Sequence, residues 1–203
     1  GLAAFLADRI TDESTGANNR FAAAAAINRQ IAATFRLPHG SGPFWGCPAA
    51  AASADLTIKR PHPFAFDEFR VTDRAMLDRV RAGGTSGARG PGVQSPFKLA
   101  GAGSVGSQML TGLAAIHGLL TDPTLGPRIT LWPFDEAAPA APAADSITFA
   151  EVWPSLIDSS AHPHPIRDAR QVATLAAAIA SDPRLQTPPP LPSEAKSEGW
   201  IWG

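Results

Sequence analysis

Two carboxylates raise the chemical question first. Glu151 closes the run Ser146-Ile147-Thr148-Phe149-Ala150 and precedes Val152-Trp153-Pro154, so the pattern predicts a strand with an acid at its end. A carboxylate buried there is expensive unless it is paired or binds a cation. Asp168 opens an apolar helical pattern that runs to about Ala180. In the first turn it is also a natural helix cap, favoured by the dipole. Brought together, the two form a hard-oxygen site suited to Mg²⁺ or Mn²⁺. Such a site activates water and stabilises the leaving oxygen in phosphodiester hydrolysis.

A second constellation is glycine-rich. Gly101-Ala102-Gly103-Ser104-Val105-Gly106 matches G-x-G-x-x-G at the start of a predicted helix. A dinucleotide site also needs a strand directly before the loop and an acid about 20 residues later. Ser95-Pro96-Phe97-Lys98-Leu99 is too short and too proline-bound for that strand, and Asp122 stands at the end of the helix. A simpler version survives, in which Lys98, Gly101, Gly103 and Ser104, with Arg89, hold a phosphate at the helix N-terminus. The other reading is that the glycines let a helix pack closely.

The histidines are His39, His62, His117, His162 and His164. His117 falls within a helix and reads as a packed, partly exposed side chain. His162-Pro163-His164-Pro165 holds two imidazoles on an extended loop, but no cysteine or acidic pair completes a four-coordinate zinc spacing. Cys47 is the only cysteine and sits in Phe44-Trp45-Gly46-Cys47-Pro48. Its apolar neighbours predict a buried structural thiol. A single cysteine rules out an intrachain disulfide and points to a reduced, cytoplasmic protein.

Positioning these groups requires the following elements. Apolar residues at helical spacing over 2–10 (Leu2, Phe5, Leu6, Ile10) and over Arg20–Phe35 (Phe21, Ala24, Ile27, Ile31, Phe35) predict two helices. Residues 36–66 are rich in Pro and Gly and read as ordered loop wrapping the domain. Thr72 is placed to cap a helix over Asp73–Arg81. Ala82–Gly92 reads as a glycine-rich loop, and Gly103–Leu120 as a helix. Strands are predicted over 128–134 and 146–153, an Ala/Pro turn over 135–145, and a last helix over 168–180. Helix, strand, strand, helix imply an α/β layer.

The 203 residues are 44% hydrophobic and 17% charged, a globular composition. A net charge of −1 argues against a surface that is basic throughout and leaves room for a local basic groove. No run approaches the roughly 18 apolar residues of a membrane span, and no signal peptide is visible at residue 1.

Three segments carry a resemblance. Ala150-Glu151-Val152-Trp153-Pro154-Ser155-Leu156, Asp168-Ala169-Arg170-Gln171-Val172 and Glu198-Gly199-Trp200-Ile201-Trp202-Gly203 resemble a bacterial family of ribonuclease-H-like nucleases of unknown function. Asn18-Asn19-Arg20-Phe21, Gly42-Pro43-Phe44-Trp45-Gly46-Cys47-Pro48 and Pro96-Phe97-Lys98-Leu99 running into Gly101–Gln108 are similar to an alphaproteobacterial subgroup over nearly the whole chain. That subgroup often carries labels of molybdopterin guanine dinucleotide or cobalamin biosynthesis.

The resemblance implies a ribonuclease-H-like mixed sheet, an inserted helical and loop region over 11–125, and a sheet with C-terminal helix over 126–203. It implies Glu151 and Asp168 as ligands of Mg²⁺ or Mn²⁺ in a phosphodiester hydrolase acting on nucleic acid. The family's third acid, an Asp on its first strand, has no counterpart in these residues. Two departures stand out: only residues 152–167 separate Glu151 from Asp168, and Trp202 stands where Leu is usual.

The expectation is therefore one domain, the C-terminal two-thirds of such a fold, nearly inactive alone. Further strands would lie beside Ile147–Val152 and bring an Asp to Glu151, because a two-stranded sheet is marginal by itself. The alternative is a non-catalytic nucleotide- or cofactor-binding protein that uses the Lys98 loop.

Overall fold

The Arg20–Phe35 stretch contains neither proline nor glycine, and its small apolar residues recur at helical spacing. It forms α2 (Arg20–Phe35), with Ala23, Ala24, Ile27, Asn28 and Ala32 buried. The helix stops where Arg36 takes a left-handed conformation (φ 55°), its N–H donating to Ala32 O. Phe35, expected on the inward stripe, is instead 67% exposed, because the chain turns away just after it. The computed structural model describes residues 1–12, 14–81, 93–135, 145–154 and 157–202, with 79–81 as backbone alone. The Gly-rich stretch 82–92, with Arg89, and most of the Ala/Pro turn lie outside the described residues.

The chain divides into two compact units. The first comprises residues 1–69 and 94–127 and is built on α1 (Leu2–Ala7), α2 and α4 (Val105–Thr121). Its core gathers Leu6, Ala24, Ile27, Phe44, Cys47, Leu56, Leu99 and Leu110, all buried, with Phe5, Ile10 and Met109 packed against them. Cys47 is buried as expected, and burial raises its thiol pKa.

The Pro/Gly-rich segment is ordered by backbone pairing. Trp45 N–H donates to Phe97 O (3.1 Å), Leu99 N–H to Trp45 O (2.9 Å) and Gly46 N–H to Thr57 O (2.8 Å). Asn28 fastens it to α2: its Nδ2 donates to Phe44 O and Asp55 O (2.8 Å each), and its Oδ1 accepts Phe44 N–H (2.9 Å). A Cβ at position 42 would overlap the Asn28 side chain, so only glycine fits there. Asp55 is buried beside them and accepts from Arg29 Nε at 2.7 Å, with His39 Nδ1 at 3.3 Å.

The second unit comprises residues 70–93 and 128–203. It holds α3 (Val71–Arg81), β1 (Ile129–Leu131), β2 (Ile147–Phe149), β3 (Glu151–Val152), α5 (Arg167–Ser181), α6 (Ala195–Glu198) and β4 (Ile201–Trp202). β1 and β2 pair in parallel with Leu131 opposite Phe149, so the two expected strands are neighbours. β3 and β4 also pair in parallel, Glu151 opposite Ile201. The fold class is thus α/β, with short parallel strands among helices. The strands are shorter than their apolar runs, and the 146–153 run is broken at Ala150 into two ladders. α3, expected inside the helical insertion, belongs with the strands. It starts at Val71, so Thr72 is not its cap but its second residue, buried and accepting Ile201 N–H at Oγ1 (3.1 Å).

No helix among the described residues is long and apolar enough to cross a membrane.

Candidate functional site

Glu151 lies on β3, where Glu151 and Val152 are both exposed. Its carboxylate meets Arg70, the residue that leads into α3. Nη1 of Arg70 donates to Oε2 at 2.7 Å and Nη2 to Oε1 at 2.8 Å, a two-pronged pairing that uses both oxygens. The same guanidinium reaches Asp73: Nε donates to Oδ2 at 3.1 Å and Nη2 to Oδ1 at 3.0 Å.

Local chain geometry explains the convergence. Asp73 stands three residues into the helix and accepts Arg70 N–H (2.9 Å), as an acid at that position of a capping box does. Val71 N–H is capped from far along the chain by Glu198 Oε2 at 2.8 Å. Arg70 Nη1 also donates to Glu198 O at 3.4 Å.

The electrostatics follow from burial. The Asp73 side chain is 8% exposed, Arg70 30% and Glu151 48%. Burial works to lower the Arg70 pKa, but hydrogen bonds to Glu151 and Asp73, with their charges, outweigh it and the net effect is a raised value. Arg70 is therefore a permanent cation held between two carboxylates.

The sequence-derived pair is not assembled in this way. Asp168 lies in the first turn of α5, solvent-exposed, where a carboxylate complements the helix dipole. The acid that shares a cation with Glu151 is Asp73. Both Glu151 oxygens accept from Arg70, and Asp168 stands on a separate element, at the start of α5. Among the described residues no group of three or more His, Cys, Asp or Glu is arranged to hold an ion.

His162 and His164 use Nδ1 to accept the backbone N–H of His164 (3.2 Å) and Ile166 (3.1 Å). A neutral ring accepting there carries its proton on Nε2, which leaves no lone pair on that nitrogen for a metal.

The glycine loop spends its donors internally. Lys98 Nζ donates to Ala102 O (2.8 Å), Val105 N–H to Gly103 O (2.9 Å) and Gly106 N–H to Lys98 O (2.9 Å). Ser104 makes no side-chain cap. A Cβ on Gly106 would come within 2.7 Å of Pro96 O and 2.8 Å of Lys98 O. This is the geometry of a glycine that admits a close helix approach, with Lys98 Nζ and Gly103 O both engaged by their own chain. A separate cavity of about 300 Å³ is walled by Leu185, Pro188, Pro189, Pro190 and Trp202, whose indole N–H donates to Leu185 O.

Arg70 and Asp73 are the residues sequence reading missed. Their signal was an acid three residues after the helix entry, obscured by Thr72, the more familiar capping type. Comparison with family models, curated proteins and solved structures found no match to this chain.

Proposed function

We propose that the second unit is part of a ribonuclease-H-like, metal-dependent phosphodiester hydrolase, with Glu151 as its central carboxylate. One observation carries the reading: Glu151 stands on an exposed parallel strand with its carboxylate half open to solvent, already engaged by a cation. A strand acid of this kind is what a hydrolase uses to hold Mg²⁺ or Mn²⁺, the ion supplying an activated water. The short ladders and exposed β3 support the further expectation that additional strands complete the sheet beside it. Nucleic acid is the proposed substrate.

The test is hydrolysis of end-labelled single- and double-stranded DNA and RNA with Mg²⁺ or Mn²⁺. It is run on this chain and on the longest natural polypeptide that contains it. The expected result is cleavage by the longer polypeptide, reduced at least about 100-fold by Glu151→Gln through loss of transition-state charge stabilisation. Cleavage that survives the substitution refutes the assignment of Glu151.

A second reading has a specific observation behind it. Arg70 saturates both Glu151 oxygens, as a purely structural clamp between β3 and the start of α3 would. That reading requires Glu151→Gln to lower stability and leave every activity intact. The glycine loop supports a nucleotide- or cofactor-binding role less well, its amides at 105 and 106 being occupied by the chain.

A further inference from the structure

We infer that residues 188–192 form an outward-facing recognition strap for a partner protein whose groove is lined with aromatic side chains. The inference is independent of the hydrolase role proposed for Glu151.

The strap's shape follows from its composition. Thr187-Pro188-Pro189-Pro190-Leu191-Pro192 is proline at every position but two. Each proline ring fixes φ at about −65°. Thr187, Pro188, Pro189 and Leu191 each precede a proline, which disfavours the helical region for them as well. The run is accordingly extended, and residues 188–192 form neither helix nor strand.

A polyproline chain repeats every three residues, so it has three edges. Thr187 and Pro190 share one edge, Pro188 and Leu191 the next, Pro189 and Pro192 the third. Thr187, Pro190 and Leu191 are exposed, Leu191 to 39%, whereas Pro188, Pro189 and Pro192 are half-buried. One edge is thus open along its length and a second is half open.

The inner side is held by the unit itself. Pro188, Pro189 and Pro190 wall the cavity they share with Leu185 and Trp202, and the Trp202 indole is fixed to Leu185 O at 2.7 Å. Thr187 Oγ1 donates to Pro183 O (3.4 Å) and Ala195 N–H to Pro192 O (3.1 Å), which ties the strap at both ends. Much of the ordering cost of recognition is therefore met before a partner arrives. Among the described residues nothing donates to the carbonyls of Pro188, Pro189, Pro190 or Leu191.

These features select the chemistry of the partner. Aromatic rings pack on the proline edges, and their N–H and O–H groups reach the carbonyls that the strap leaves open. No charged residue lies within 185–193, so the strap itself offers no cation to a nucleic-acid phosphate or an anionic membrane. A protein groove rich in Trp and Tyr fits it, by shape rather than by charge.

The probes are isolated WW domains, whose aromatic-lined grooves take proline-rich segments. Each is titrated into the isotope-labelled chain and into its Pro190→Ala, Leu191→Ala double variant, with binding followed by NMR. At least one domain is expected to shift the Leu191 methyl resonances saturably, and to bind the double variant at least about tenfold more weakly. Leu191 methyls that stay fixed with every domain overturn the inference; so does an affinity indifferent to the double substitution. The Trp202 indole N–H resonance checks that the variant keeps its fold. A measurement free of substitutions adds a synthetic peptide of residues 186–194 to the complex of domain and unaltered chain. Displacement of the domain by the peptide supports the strap. A domain that binds the peptide and ignores the chain shows the strap closed within the fold, and refutes it.

Discussion

Asn28→Ala gives the sharpest test of how the first unit is held together. The Asn28 side chain is 2% exposed and makes three hydrogen bonds to backbone groups: Phe44 N–H, Phe44 O and Asp55 O. Alanine leaves all three without that partner. A buried backbone group so orphaned costs about 1–3 kcal/mol, and partial relaxation or entry of water recovers some of it. The expected loss is about 3–5 kcal/mol, a large share of the roughly 5–15 kcal/mol that stabilises a domain. Trp45 is the one tryptophan of this unit and directly follows Phe44, so its fluorescence reports the unfolding. Urea denaturation followed at that signal should show the midpoint falling with little change in slope. Asn28→Asp sharpens the logic, because it keeps an acceptor for Phe44 N–H but turns a carboxylate toward two carbonyl oxygens. At neutral pH it should destabilise at least as much as alanine. A loss below about 1 kcal/mol for both variants would mean that the three bonds are not what fixes the loop to α2.

Two further predictions concern the same unit. Asp55 has a pKa held below the ordinary carboxyl value, first by its hydrogen bond from Arg29 and then by that from His39. Its contribution to stability is therefore complete above the unfolded value of about 4 and is lost as pH falls through the lower folded value; Asp55→Asn should flatten the acid limb of a stability–pH curve, and an unchanged limb counts against the pairing. Gly106→Ala should cost about 1–3 kcal/mol by driving a methyl into the carbonyls of Pro96 and Lys98, read as a lowered Tm; an unchanged Tm refutes the close-packing role of this glycine.

The helices were legible because their signals are local. Arg20–Phe35 has no breaker and a regular apolar recurrence, and its span matches α2 residue for residue. The two strands and their adjacency were also readable, as apolar runs separated by turn residues. Strand length was not, because apolarity does not reveal that Ala150 ends one ladder and Glu151 begins another. The candidate site was half legible. Glu151 stands out as an acid on an apolar run, but its partner lies 81 residues earlier, and no periodicity encodes a contact across that distance. Asp168 attracted attention by type and proximity in sequence, and the helix start gives that acid a simpler use. The glycine motif stays two-sided for a related reason: a tight turn and a phosphate cradle call for the same residues, and only the direction of the amides separates them.

The cap on α3 ties the timetable of synthesis to the fold. Val71 N–H is closed by a carboxylate 127 residues further along, and Thr72 Oγ1 by an amide 129 residues further along. At about 5–20 residues per second, a ribosome needs roughly 6–25 s to deliver those partners after α3 has emerged. During that interval the helix entrance, Arg70 and Asp73 face water or whatever surrounds the nascent chain. The first unit can close once residue 127 is out, so the two units become foldable at different moments. Contacts of such long sequence separation also make the second unit the slower to form. A nascent chain stalled with residue 130 just clear of the ribosome should accordingly protect Trp45 and leave α3 open to proteases.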